Sequence, residues 1–247
     1  MRATAMTEQS DPLCLSELTC AALLFDAPWR RFGVLGDSLS AGIGDPTPGY
    51  ANLGWADRVA AVLRRANPTV RYLNTADIGA TAARTLAEQC DRMDEFEPDL
   101  LHLPSGPNEI MRRQPDFDEI EQTLRRLYDR AAGTRALLTV FTLGRAFVMP
   151  SIPDWDKRIR RMNDLTRRLA ADHGAVVVDV WDHPLNDRPQ LLSADRIHFS
   201  TSGQAALATE VVRHLAYRLG GYCLGSGRSM PPTSVTFQSL LGSTLTV

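Results

Sequence analysis

The sequence lacks the features that mark several common classes of protein. It has no excess of charge of either sign, since 27 basic and 29 acidic residues give a formal net charge of -2 at pH 7. This balance gives no electrostatic reason to expect a nucleic acid or an anionic membrane as partner. No apolar stretch approaches the ~20 residues of a membrane-spanning helix, so we expect no stable membrane insertion.

Cysteine is scarce and scattered. The four cysteines form no Cys-x-x-Cys pair and no Cys/His spacing typical of a zinc site, which predicts free thiols and no metal centre. Before the first predicted strand, no basic segment leads into an apolar run with a small-residue cleavage site. We therefore expect a cytoplasmic protein.

What remains is an ordinary globular composition, 44% hydrophobic and 23% charged, in a chain long enough for one substantial core. Short apolar runs alternate with amphipathic helical patterns, which predicts an α/β fold: a parallel five-stranded sheet between two helical layers. The runs contain or span Phe32 to Leu35, Val70 to Leu73, Leu100 to Leu103, Ala136 to Phe141 and Ala175 to Val180. Polar or glycine-containing segments follow the strands, where such sheets bind ligands.

Three helical segments carry more detailed predictions. A short helix is expected between Leu13 and Phe25, and a second from Trp55 to Arg65 with Arg58 on its outward face. A third is expected to follow the segment Asn74 to Thr81 and to run through Arg92. We expect an N-terminal extension over residues 1–30, one domain over 31–219 and a tail over 220–247, in which Val235 to Leu241 can add a strand.

The first strand ends at a turn that suits a nucleophile. The stretch RFGVLGDSLSAGIG breaks from apolar to small polar residues at Gly36, and this places Ser38 at the carboxyl edge of the sheet. An ordinary strand followed by a polar turn would give the same letters, and short motifs alone are weak evidence. Ser38 is therefore a candidate that needs partners from elsewhere in the chain.

His198 is the best candidate for a general base. It lies in a short polar loop before the last predicted helix, and Asp195, three residues earlier, can reach back to orient its imidazole. A hydrogen-bonded loop histidine is the structural alternative. The other histidines fit structural positions better, either in strands and helices or before a proline; they are His102, His173, His183 and His214.

Acyl transfer also needs donors for a developing oxyanion. Gly79 offers a backbone N–H after the second strand, and Asn108 offers a side-chain amide after the third. With the N–H of Ser38 these make three donors. Gly79 starting a helix, or Asn108 capping one, is the structural alternative.

Taken together, four blocks of the sequence resemble the SGNH, or GDSL-type, esterase and lipase superfamily. They are Gly36 to Leu39, Gly79, Gly106 to Glu109 and Asp195 to His198, and the match spans about Phe32 to Leu219. The resemblance implies a flavodoxin-like three-layer sandwich with Ser38 as nucleophile, His198 as base and Asp195 as orienting acid. It also implies an oxyanion hole of Ser38, Gly79 and Asn108, and no cofactor. Glu109 stands where the family usually has aspartate.

The substrate is less well defined by the sequence. Arg112, Arg113 and Arg145 follow the third and fourth strands and can receive an anionic group, and Phe147 can line an acyl or aromatic pocket. We expect a serine hydrolase that cleaves a carboxylic ester or thioester of a small acylated molecule. An acyltransferase using the same acyl-enzyme, or a non-catalytic binding protein on the same fold, remains an alternative.

Overall fold

The structure, a computed structural model, describes residues 6–221. Within this range the strands are β1 (Arg31–Val34), β2 (Arg71–Asn74), β3 (Leu100–Leu103), β4 (Leu137–Phe141) and β5 (Val176–Val178). The helices are α1 (Glu17–Leu23), α2 (Ser38–Ala41), α3 (Trp55–Ala66), α4 (Ala82–Glu88), α5 (Cys90–Phe96), α6 (Pro107–Ile110), α7 (Phe117–Gly133), α8 (Trp155–Asp172) and α9 (Thr201–Gly221), with 3-10 turns at Pro184–Asp187 and Pro189–Leu191.

The strands form one parallel sheet in the order β2-β1-β3-β4-β5. All four residues of β3 are buried, as expected for a central strand with helices on both faces. The helices α1, α3 and α9 pack together as one group, and α4, α5, α7 and α8 as another. The predicted three-layer α/β fold with five parallel strands is therefore confirmed.

The two faces of the sheet pack on different helices. Phe32, His102 and Phe141 surround the fully buried Trp55 of α3, with ring centroids 6.4, 4.5 and 4.7 Å away. On the opposite face Met93 of α5 lies directly against Gly33, as the alternation of side chains along a strand requires. Both faces of β1 are thus fixed, and its carboxyl end has one defined position.

Several helix predictions need correction. The helix expected to run through Arg92 is two helices, α4 and α5, and Gln89 between them turns its side chain inward to Gly36, in the turn after β1. Arg58 is not outward: it is buried, and it bonds to Glu8 and to the carbonyls of Leu53 and Ala51. The segment before α1 therefore covers this face of α3, which the helical pattern alone does not reveal.

The predicted short N-terminal helix is present as α1, which packs against α3 and α9. The predicted tail lies almost entirely outside the described residues, as does the strand expected over Val235 to Leu241. The boundaries proposed at residues 30 and 219 stay predictions.

Candidate active site

Ser38 is the first residue of α2, immediately after the sharp turn that ends β1. Gly36 makes this turn with φ +137°, a value that side chains rarely allow, and an added Cβ would lie 2.3 Å from Ser40 Oγ. Asp37 caps the short helix, since its Oδ1 accepts from the Leu39 N–H at 2.9 Å. The hydroxyl of Ser38 is thus held at the carboxyl edge of the sheet, where the sequence predicted it.

Gln89 stabilises the same turn from the helix layer. Its Oε1 accepts from the Gly36 N–H and its Nε2 donates to the Gly36 carbonyl, both at 2.8 Å. The side chain is 3% exposed, so these bonds are shielded from water. Gln89 thereby satisfies both backbone groups of Gly36 beyond the end of β1, as a neighbouring strand would do within the sheet. Its position within a helical pattern does not indicate this role.

The loop that carries His198 is a tight hairpin. Leu192 and Phe199 form an isolated antiparallel bridge, and the Ser193 N–H donates to the His198 carbonyl at 2.8 Å. Inside the loop, Asp195 Oδ1 accepts from the backbone N–H groups of Ile197 and His198 at 2.9 and 3.0 Å. These bonds fix the carboxylate relative to the imidazole before any substrate arrives.

A second segment, residues 43–47, packs against this hairpin and forms hydrogen bonds to it. Asp45 Oδ2 accepts from the Ala194 N–H, and the Asp45 N–H donates to Ser193 Oγ, both at 2.8 Å. Gly44 lies so close that an added Cβ would be 1.8 Å from the Phe199 carbonyl oxygen. No pattern in the sequence indicates this contact, which joins residues about 150 positions apart.

The hairpin places the His198 ring within hydrogen-bond distance of the Ser38 hydroxyl. His198 Nε2 lies 2.8 Å from Ser38 Oγ, and His198 Nδ1 lies 2.6 Å from Asp195 Oδ2. Desolvation by burial raises the pKa of the Asp195 carboxyl, but hydrogen bonds from the His198 ring and from two backbone N–H groups outweigh it and hold the pKa below 3.8. Asp195 is therefore ionised at neutral pH and can stabilise an imidazolium.

The three predicted oxyanion donors belong to adjacent loops. The N–H groups of Ser38 and Gly79 have no acceptor among the described residues, and Gly79 is exposed with φ +73°. Asn108 Nδ2 donates to the Ala80 carbonyl at 2.9 Å, which ties the loop after β3 to the loop after β2. One amide hydrogen of Asn108 is used in this bond, and the other is left for a ligand.

Two buried carboxyl groups lie behind these loops. Asp37 is 1% and Glu109 is 4% exposed, and each has one oxygen, Asp37 Oδ2 and Glu109 Oε2, without a hydrogen-bond partner among the described residues. Burial raises the pKa of Asp37 to about 6, with the neighbouring charge of Glu109 acting in the same direction. Burial likewise raises the pKa of Glu109 above its usual value.

The predicted substrate-contact residues lie at the same edge of the sheet. Phe147 is buried and packs edge-on against Phe199, the neighbour of His198, with ring centroids 5.3 Å apart. It lines an apolar cavity of about 210 Å³ together with Met149, Ile152 and Trp155. Arg145, at the same cavity, forms an ion pair with Asp187, so its charge is already compensated.

Arg112 and Arg113 are exposed at the start of the connection after α6. Their carbonyl oxygens accept from the guanidinium of Arg158, at 2.7 and 3.2 Å, and this fixes the backbone of the segment. No contact of the Arg112 or Arg113 guanidinium with the Ser38–His198 pair is seen in the described structure, so a role in binding substrate stays a prediction.

The other four histidines occupy structural positions. His102 is buried in the central strand with Nδ1 3.0 Å from Thr139 Oγ1, and burial lowers its pKa to about 3, so the ring is neutral. His173 lies 2.8 Å from Asp129 and His183 lies 3.3 Å from Glu210. His214 bonds to the carbonyl of Glu210 on its own helix at 2.8 Å.

Residues 6–221 contain neither a candidate metal centre nor a candidate membrane-spanning helix. In this range there is no group of three or more His, Cys, Asp or Glu side chains arranged to hold a metal ion. None of the helices in the described part of the chain has the length and hydropathy needed to cross a membrane.

Known structures resemble this fold over most of the chain. LAE5, an alpha/beta hydrolase enzyme from the metagenome of Lake Arreo, is 26% identical with a TM-score of 0.61, covering 80% of this chain and 97% of that one. Axe2, an acetylxylan esterase from Geobacillus stearothermophilus, is 20% identical with a TM-score of 0.62, covering 75% and 94%. TesA is 22% identical with a TM-score of 0.61, covering 75% and 97%. No curated protein sequence matches the chain significantly.

A family model gives the strongest assignment. The GDSL-like lipase/acylhydrolase family matches residues 34–206, which include the turn at Ser38, the loops of Gly79 and Asn108, and the hairpin of His198. The matched segment is more than half of the chain, and its four loops are those that the structure brings to one edge of the sheet. The chain therefore belongs to the GDSL-like lipase/acylhydrolase family and is a hydrolase of ester bonds.

Proposed function

We propose that this protein hydrolyses esters through a covalent acyl-enzyme on Ser38, with His198 as general base and Asp195 as the residue that orients it. One observation carries the proposal: the unbroken chain of hydrogen bonds from Asp195 Oδ2 through the His198 ring to Ser38 Oγ, at 2.6 and 2.8 Å. A serine hydroxyl is a weak nucleophile until a base accepts its proton, and this contact supplies the base.

The reaction has two half-steps. Ser38 Oγ attacks the carbonyl carbon while its proton passes to His198 Nε2. The tetrahedral intermediate then expels the alcohol or thiol, which takes that proton from the imidazolium. A water molecule attacks the resulting ester by the same route, so that the carboxylic acid leaves and the Ser38 hydroxyl is restored.

The negative oxygen of each intermediate needs donors at fixed positions. We assign this role to the N–H groups of Ser38 and Gly79 and to the Asn108 side chain. The unpartnered state of the two N–H groups supports the assignment, because an oxyanion would supply the acceptor that they lack. The bond from Asn108 to Ala80 keeps the second and third donors at a constant separation.

The substrate that fits best is a small acylated molecule. The cavity of about 210 Å³ beside Phe147 is lined mainly by apolar side chains, and it suits a short acyl chain or an aromatic group. Two structural neighbours are acetyl xylan esterases by name, in keeping with a short acyl group here. We propose Phe147 as a substrate contact. Arg112 is proposed as a further contact for a polar or anionic part, and Arg145, whose charge is paired with Asp187, as a contact for a neutral polar part. The cytoplasmic location stays a prediction.

The test combines labelling with turnover. The protein should hydrolyse p-nitrophenyl esters of graded acyl length, with short chains preferred, and a fluorophosphonate should label Ser38 and abolish turnover. The Ser38→Ala variant should lose activity, while its melting temperature stays close to that of the wild type. Ester turnover that survives in Ser38→Ala would refute the proposal. If an added alcohol captures the acyl group at the expense of water, acyl transfer replaces hydrolysis as the reaction.

A further inference from the structure

The inference concerns Glu109, which follows Asn108 in α6 and belongs to no role assigned so far. Its side chain is 4% exposed, which is unusual for glutamate because burying a carboxylate is costly unless it is bonded. One oxygen, Oε1, accepts a short hydrogen bond from the backbone N–H of Ala82. The other, Oε2, is buried without a partner among the described residues.

Ala82 is the first residue of α4, three positions after Gly79. Its N–H is one of the unsatisfied donors that every helix has at its start. Thr81, the N-cap, bonds to the Arg84 N–H instead, so Glu109 satisfies a different donor of the same turn. A carboxylate is also favoured here by the positive end of the helix, although α4 is short.

Glu109 and Asn108 therefore hold the loop after β2 at two points. Asn108 Nδ2 donates to the Ala80 carbonyl at 2.9 Å, and Glu109 Oε1 accepts from Ala82. Two adjacent residues of α6 thus make complementary bonds to two sites just beyond Gly79. Gly79 itself has no side chain, has an exposed backbone and has no acceptor for its N–H among the described residues, so its position depends on the bonds of the residues on either side. Before Gly79 the Asp77 N–H donates to the Gly36 carbonyl at 3.0 Å, and after it the loop is held by Asn108 and Glu109.

The buried carboxyl of Glu109 is electrostatically costly. Glu109 lies near a second buried carboxyl, Asp37, whose pKa its charge raises. Among the described residues, the exposed Arg112 is a positive charge that acts to lower the pKa of Glu109. A neutral glutamine at position 109 would make the same bond to Ala82 without placing a second charge behind the nucleophile.

We propose that Glu109 is a positioning residue of the oxyanion hole: through Ala82 it fixes the loop after β2 so that the Gly79 N–H points at the oxygen of an acyl group on Ser38. This rests on the function proposed above. Glu109 is not expected to touch substrate, and its loss should weaken stabilisation of the transition state more than binding of the ester.

The test compares four variants with the wild type in steady-state ester hydrolysis. Rates are expressed per active site, titrated to completion with a fluorophosphonate, so that partly unfolded protein does not count. Glu109→Ala should lower kcat by about 10- to 100-fold with KM changed by less than about threefold. Glu109→Asp, whose shorter side chain cannot reach Ala82, should lower kcat by about tenfold. Glu109→Gln keeps an acceptor of the right length and should retain kcat to within about threefold.

Glu88→Ala is the matched control. Glu88 is the last residue of α4, is exposed and pairs with Arg84, which also bonds to Asp77 and to the Ile78 carbonyl in the loop after β2. Its loss therefore perturbs the same loop without removing the bond to Ala82, and it should lower kcat by less than about threefold. If Glu109→Ala does not fold, the contrast between Glu109→Asp and Glu109→Gln decides the question.

A wild-type kcat in folded Glu109→Ala, or in Glu109→Asp, would overturn the positioning role, as would a Glu109→Gln variant as impaired as Glu109→Ala. A wild type that neither turns over esters nor labels at Ser38 would instead refute the proposed function, so the two failures are distinct.

Discussion

The buried carboxyl of Asp37 gives a prediction whose size follows from the structure. Asp37 is 1% exposed, and burial raises its pKa from 3.8 to about 6, with the charge of Glu109 adding to the effect and hydrogen bonds from the Leu39 and Ser40 backbone opposing it. At about 1.4 kcal/mol per pKa unit, this difference corresponds to about 3 kcal/mol. We expect Asp37 to destabilise the native protein by about that amount once it is ionised.

The direction in which the free energy of unfolding changes with pH follows from the protons that the native and unfolded states bind. Between pH 3.8 and about 6 the native protein holds the Asp37 proton while the unfolded chain has released it. The free energy of unfolding therefore falls with rising pH across this window, and the loss is complete above the native pKa. Asp37→Asn removes the titration but keeps an oxygen for the Leu39 N–H. Its stability relative to the wild type should rise by about 2 to 3 kcal/mol between about pH 4 and about pH 8.

Urea unfolding followed by tryptophan fluorescence measures this difference, since Trp55 is fully buried in the core. Asp116→Asn is the control for replacing a capping aspartate as such, because Asp116 caps α7 in the same way but is exposed. A difference between Asp37→Asn and wild type that is constant with pH would show that burial is not the dominant effect. A decrease with pH would show that the capping bonds of the ionised carboxylate outweigh it.

Three further substitutions test the loops around Ser38. Asn108→Ala removes a proposed oxyanion donor and the bond to Ala80, and kcat should fall at least about 100-fold with KM nearly constant; a kcat near that of the wild type would exclude the donor role. Asp195→Asn keeps the shape of the hairpin but loses the charge that is proposed to hold the His198 tautomer, so kcat should fall by about 10³- to 10⁴-fold. A loss below about tenfold would contradict the orienting role of Asp195. Gly44→Ala places a Cβ 1.8 Å from the Phe199 carbonyl and should destabilise the fold by about 1 to 3 kcal/mol and reduce activity, whereas Gly133→Ala, with nothing within 4 Å, should do neither.

The proposed catalytic residues can be predicted from the sequence because the covalent chain itself sets their local geometry. Asp195 and His198 are three residues apart, so a tight loop is enough to bring carboxylate and imidazole together. The position of Ser38 can be predicted because a glycine turn that follows an apolar strand lies at the carboxyl edge of a parallel sheet. The order of the strands then brings this turn and the hairpin to the same edge of the sheet.

The residues that hold these groups in place were not accessible in the same way. Gln89 and Asp45 act on partners about 50 and 150 positions away, and each has an ordinary polar residue's place in a helix or loop pattern. Helical periodicity predicts Arg58 on the surface because it shows which face of α3 is charged. It does not show that the segment at Glu8 folds over that face. Long-range hydrogen bonds of this kind leave no periodic signal in one sequence.

The most direct test of the central claim is to trap the intermediate. Wild-type protein mixed with excess p-nitrophenyl acetate and quenched with acid during turnover should carry one acetyl group, and peptide mass spectrometry should locate it on Ser38. Asp195→Asn, which slows both half-steps, and Ser38→Ala serve as comparisons, and the latter should carry none. Turnover without any acylated Ser38, or an acetyl group that forms on another residue at the rate of turnover, would contradict the account.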